Sequence, residues 1–146
     1  MKIEVKLDDS CEQPRVVIYA KSMTSEVEEL LKKLGECEPR LITGYAGEEA
    51  ELIEQADIMR IYAANGKVFA VTTGGELRLR QRLYELEERL DAKLFVRISN
   101  SEIVNLKYVR RFDLSLAGTI CVKLKDGSVA YVSRRYVSRI KRILGL

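Results

Sequence analysis

The segment Ile58-Met59-Arg60-Ile61-Tyr62-Ala63-Ala64-Asn65-Gly66-Lys67-Val68-Phe69-Ala70-Val71-Thr72 places two apolar, β-branched and aromatic runs on either side of an Asn-Gly pair. Asn and Gly both tolerate the positive φ that a type I′ turn needs at its two central positions. Ile58–Tyr62 and Lys67–Thr72 are therefore predicted as the arms of a β-hairpin. The same pattern continues outward. Leu41–Tyr45 and Ala50–Ile53 read as short strands, and Gly74-Gly75 turns the chain into another at Glu76–Arg80. Phe95–Ile98, Val109–Leu114 and Ile120–Lys125 follow, and Asp126-Gly127 is a second hairpin signal leading into Ser128–Val132.

Three helices interrupt these strands. The first starts near Ser25, with Val27, Leu30, Leu31 and Leu34 at i, i+3, i+4 and i+7. Ser25 with Glu28 is its expected capping box, and Gly35 and Pro39 are expected to close it. The second carries Leu79, Leu83, Leu86 and Leu90 on one face; the third starts near Ser133 with Val137, Ile140 and Leu144 inward. Short antiparallel strands with few helices give an α+β, β-rich class. Ile3–Leu7 and Arg15–Ala20 are predicted as two further strands, with Asp8-Asp9 as a polar turn. Residues 1–46 then form a small β-β-α segment and residues 47–146 the main domain. No repeat, low-complexity tract or linker is visible.

Composition limits the function. The 146 residues are 47% hydrophobic and 32% charged, the balance of a globular chain. No apolar run approaches the ~18 residues of a membrane span, and the opening MKIEVKLDD carries no signal-peptide core. Cys11, Cys37 and Cys121 are scattered, which points to free thiols in a reducing cytoplasm. There is no histidine, so Ser-His-Asp, Cys-His and histidine-based metal sites are excluded. No set of nucleophile, base and oxyanion donors is legible. The expectation is a protein that is not an enzyme and takes no cofactor, metal or small-molecule substrate.

The net charge of +3 conceals an asymmetry. Residues 97–146 hold 11 basic and 3 acidic side chains, whereas the first 96 residues hold 14 and 19. A basic C-terminal third suits a phosphate-backbone binder, against the plainer reading of a Lys/Arg-rich solvated surface. The last helix sharpens the point. Behind its expected cap, Ser133, come Arg134 and Arg135, although a helix N-terminus carries about +0.5 charge and favours acids. Free amides and two guanidinium groups make a phosphate site, and Arg also matches guanine O6 and N7. Pairing of both arginines with surface acids is the competing explanation. Arg97-Ile98-Ser99-Asn100-Ser101-Glu102 adds neutral donors at the end of a strand, though Ser-Asn-Ser is also ordinary loop composition. Lys67 sits at the tip of the first hairpin. Glu85, Glu87 and Glu88 read as a solvated helix face with Arg82 and Arg89 as neighbours.

Taken together, residues 47–146 resemble the LytTR DNA-binding domain of bacterial transcription regulators. The elements occur in that family's order: Asp57-Ile58-Met59 and the strand to Tyr62, then the Asn-Gly hairpin. Leu83-Tyr84-Glu85-Leu86-Glu87 is similar to the family's S-L-K-E-L-E helix. Phe95 through Asn105 is similar to its F-x-R-I-H-R-S-Y-I-V-N core, and Leu124-Lys125-Asp126-Gly127 with Val132-Ser133-Arg134-Arg135-Tyr136 to its L-x-D-G…V-S-R-x-Y ending. Ser99 and Asn100 stand where the family often has His and a basic residue. Gln81-Arg82 replaces the usual Gly-Ser.

The resemblance implies an elongated β assembly whose loops, rather than a recognition helix, enter successive major grooves of double-stranded DNA. The implied contacts are Asn65 and Lys67 on the first loop, Arg97, Asn100 and Ser101 on the second, and Arg134 and Arg135 on the third. It is similar to small stand-alone LytTR regulators, which implies a membrane-protein inhibitor as partner and no control by phosphorylation. The alternative is a protein-interaction module, with the basic face incidental. Its discriminating feature is the stripe Val27, Leu30, Leu31, Leu34, which would mediate a homodimer or receive the inhibitor if left uncovered.

Overall fold

The computed structural model describes residues 1–37 and 41–146. Ten strands and three helices occur among them. Helix α1 (Ser25–Cys37) is followed by β1 (Leu41–Ala46), β2 (Glu49–Glu54), β3 (Ile58–Ala64), β4 (Lys67–Thr72) and β5 (Gly75–Leu79). Then come α2 (Leu83–Arg89), β6 (Phe95–Ser99), β7 (Glu102–Asn105), β8 (Val109–Asp113), β9 (Ile120–Leu124), β10 (Val129–Val132) and α3 (Arg134–Ile143). The antiparallel strands form a seven-stranded sheet, ordered β2-β1-β5-β4-β3-β7-β6, and a three-stranded sheet, β10-β9-β8. The class is α+β and β-rich.

The Asn-Gly hairpin forms as expected, with φ of 53° at Asn65 and 74° at Gly66 and with Ala64 opposite Lys67. Strand β7 carries no turn glycine to announce it. Its turn from β6 is Asn100-Ser101, and the register shifts by one residue between Arg97 and Ser99. Such a bulge supplies the bend that glycine supplies elsewhere. A topological echo also has no counterpart in the sequence. Strand, 3₁₀ turn, three antiparallel strands and helix occur in that order twice, from β2 to α2 and from β7 to α3.

Two cores result. One lies between α2 and a face of the large sheet, and includes Ile42, Ile61, Leu79, Leu86, Phe95 and Ile103. The other joins Val96, Ile98 and Val104 to Ile120, Val122 and Val132 of the small sheet and to Ile140 of α3. Strands β6 and β7 thus feed alternate side chains into both. Each fully buried Ile or Val contributes about 1.5–3 kcal/mol. The four leucines expected on the second helix do share the first core, but Leu79 reaches it from β5 and Leu90 from beyond the helix end. At the joint between sheets, fully buried Asn105 donates to Ile58 O (2.8 Å) and accepts from Lys107 N (2.9 Å).

The opening segment departs from expectation. Residues 1–22 contain no strand, and all are exposed. Ile3–Leu7 and Arg15–Ala20 have strand-like composition but pair with no neighbouring backbone within the chain. Asp8 does make a turn, accepting from Ser10 N at 2.9 Å. Thr24 rather than Ser25 caps α1, taking Val27 N on its hydroxyl at 3.3 Å and Glu28 N on its carbonyl at 3.0 Å. Gly35 lies inside the helix, and Pro39 falls outside the described residues. Helix α1 packs on β1, with Leu31 buried and Val27, Leu30 and Leu34 half-buried. β1 in turn pairs with β2 along six residues, so a division at residue 46 passes through a hairpin. Among the described residues no helix is long and apolar enough to cross a membrane.

Gly44 sits where the sheet is closely packed. A Cβ there would stand 2.6 Å from Ile53 Cδ1 and 3.0 Å from Leu77 Cβ, both in buried side chains. Gly44→Ala should lower stability by about 1–3 kcal/mol, the usual cost of overpacking. An unchanged urea midpoint would contradict that packing.

Candidate nucleic-acid interface

The candidate side chains sit on three turns that backbone hydrogen bonds draw together. Ala63 N, two residues before the first turn, donates to Ser101 O at 2.8 Å. Ser133 N, at the start of α3, donates to Ile98 O at 2.9 Å. The β6–β7 turn therefore lies between the other two and is bonded to both. Tyr136 of α3 also donates its hydroxyl to Asn100 Oδ1 at 3.2 Å. That contact orients the Asn100 amide and leaves its NH₂ group without an acceptor among the described residues.

Each expected residue has a definite place. Asn65 and Lys67 are exposed at the first turn. Ser101 is exposed at the second turn, where its amide donates to Ser99 Oγ at 3.2 Å and stiffens the loop. Arg134 and Arg135 are exposed at the first turn of α3, and neither forms an ion pair among the described residues. The competing explanation, in which acids elsewhere neutralise them, finds no support there. Ser133 occupies the cap position in extended backbone, yet its hydroxyl makes no capping bond.

Arg97 is different from the rest. Its three nitrogens all donate within the protein: Nε to Ser99 O (3.0 Å), Nη2 to Asn100 O (2.8 Å) and Nη1 to Glu87 Oε2 (3.0 Å). The side chain clamps the turn that carries Asn100. Glu87, expected on a solvated face, also accepts from Arg139 Nη1 at 3.0 Å and so ties α2 to both β6 and α3. Beside this turn, burial pushes the Glu102 carboxyl up, while Arg60 at 3.1 Å pulls it back down.

A wide groove connects the first and second turns, and it is lined by residues beyond those expected from the sequence. Lys67, Arg97 and Asn100 line it together with Arg78, Arg80 and Arg82. Arg80 lies 4.0 Å over the Tyr45 ring and is partly neutralised by Glu28 of α1 at 3.0 Å. The sequence signal for these three is arginine at every second position from 78 to 82, although only Arg78 lies in β5 and Arg80 and Arg82 follow in the link to α2. A charge asymmetry confined to the C-terminal third does not reach them.

A family model described as the LytTr DNA-binding domain matches residues 48–145. The chain is 32% identical over 147 residues to an HTH-type transcriptional regulator of Staphylococcus aureus strain NCTC 8325, with 100% of this chain and 99% of that one covered. A counterpart from strain MRSA252 is 31% identical over the same coverage. Among solved structures, the LytTr DNA-binding domain of a methyl-accepting/DNA response regulator from Bacillus cereus shares the fold. Its TM-score is 0.71 at 20% identity, covering 73% of this chain and 98% of that domain.

The Arg97 clamp can be checked without any ligand. Arg97→Lys keeps the charge but cannot make three separate directed bonds. Amide hydrogen exchange at Asn100 and Ser101 should accelerate while the two cores stay protected. Unaltered exchange at the turn would show that Arg97 does not hold it.

Proposed function

We propose that this chain, which belongs to the LytTR family of DNA-binding domains, is a sequence-specific transcription regulator that reads double-stranded DNA with its three adjoining turns. The observation that carries the reading is the bonding of the Asn100 turn to both neighbours. It sets Lys67, Asn100 and the unpaired Arg134 and Arg135 along one edge. The relatives' description as transcriptional regulators supports the regulatory role.

The residues divide by chemistry. Lys67 and the groove arginines Arg78 and Arg82 are flexible cations suited to phosphates, and they supply a salt-dependent backbone term. Arg135 and Asn100 have the planar, multi-donor or donor-acceptor heads that match base edges in a major groove. Arg134 and the open amides of the first α3 turn suit a phosphate. Arg97 acts through Asn100 by fixing its backbone. Among the described residues each helix is separated from the next by strands, so no two helices are joined by a short turn. That topology favours reading by loops over reading by a helix laid in the groove.

Fluorescence anisotropy on operator and scrambled duplexes tests the division. Arg135→Ala should weaken operator binding by about 1–3 kcal/mol and flatten the preference for operator over scrambled DNA. Lys67→Ala should lower the salt slope by about one with little change in preference. If Arg135→Ala left operator affinity intact, the third turn would not be part of the interface. If Lys67→Ala abolished specificity, Lys67 would be reading a base.

A further inference from the structure

The first run of the chain has the alternating pattern of an amphipathic strand and nothing packed against it. Ile3, Val5 and Leu7 are 79%, 83% and 94% exposed. On the alternate positions Lys2 and Glu4 meet in an ion pair at 3.0 Å, so the charged side chains share the opposite face. Val16, Val17 and Ile18 add a second exposed run, apolar at successive positions and therefore on both faces. Soluble monomers rarely leave contiguous apolar surface of this kind uncovered. The stripe on α1 does not share this condition, because it packs on β1.

We propose that residues 2–8 are a self-pairing strand through which two copies of this chain associate. The order Lys2-Ile3-Glu4-Val5-Lys6-Leu7-Asp8 is its own complement when laid antiparallel about Val5. Lys2 then stands opposite Asp8, Glu4 opposite Lys6 and Ile3 opposite Leu7, with Val5 facing its counterpart. Contacts of i with j and of j with i are what a two-fold interface requires. Opposite charges across strands favour pairing and like charges oppose it. The neighbouring symmetric registers are penalised on that ground. Pairing about Glu4 puts Lys2 against Lys6 and Glu4 against itself, and pairing about Lys6 puts Glu4 against Asp8. The charges therefore select both the occupant and the register. Residues 1–22 hold four basic and four acidic side chains, so a strongly charged partner gains no net attraction. The turn at Asp8, closed by Cys11 N donating to Asp8 O at 3.1 Å, ends the run where the complement ends.

Light scattering on the full chain, without DNA, tests the pairing separately from the nucleic-acid reading. The wild type should run at twice the chain mass. Glu4→Lys alone and Lys6→Glu alone each place like charges opposite, twice per dimer, and should raise the dissociation constant by about tenfold or more. The double variant Glu4→Lys/Lys6→Glu restores opposite charges and should restore the dimer. Residues 1–22 pair with no strand of either sheet, so the thermal midpoint of the domain should hold in all three variants. A monomeric wild type overturns the proposal. So does a dimer indifferent to the single substitutions, or a double variant as monomeric as the singles.

Discussion

Strands β6 and β7 are buried on both faces, and that constraint fixes the positions of everything around them. Phe95 and Ile103 enter the core beneath α2, while Val96, Ile98 and Val104 enter the core shared with the small sheet and α3. A slip of one residue would exchange the two sets and drive Arg97 toward the wrong core, so the register is strongly specified. The large sheet, the small sheet and two helices are consequently held against one hairpin. Its tip, Asn100-Ser101, is bonded to elements on every side.

That anchoring gives the candidate interface its geometry. A loop reader must present side chains in fixed positions, because a flexible loop spends binding energy on becoming ordered. Here the tip is bonded to β3 through Ser101, to α3 through Ile98 and Tyr136, and to α2 through Arg97 and Glu87. The acids nearest the edge are already engaged. Glu87 serves Arg97 and Arg139, and Glu102 serves Arg60. Lys67, Arg134 and Arg135 form no ion pair among the described residues.

Much of this is legible in the amino-acid sequence, and for identifiable reasons. Asn65-Gly66 and Asp126-Gly127 announce their hairpins because Asn65, Gly66 and Gly127 take positive φ with little strain. Arg134 and Arg135 stand out because they oppose the helix dipole. The Asn100-Ser101 turn is harder to read, since a bulge rather than a glycine makes it, and β7 is hidden with it. Arg97 is legible in the sequence as a charge, but the three acceptors around it are not. The runs at 3–7 and 15–20 have strand-like composition, but whether a strand forms depends on a neighbouring edge that the sequence of one copy does not display.

The edge formed by the three turns is proposed to recognise a particular DNA sequence. Its most direct test is anisotropy of the unmodified protein on duplex from its own promoter and on a scrambled duplex of equal length, across a salt titration. Sequence-specific reading requires tight binding to the promoter, a steep negative dependence on salt and much weaker binding to the scrambled duplex. Equal affinity for the two duplexes, or no binding to either at low salt, would contradict it.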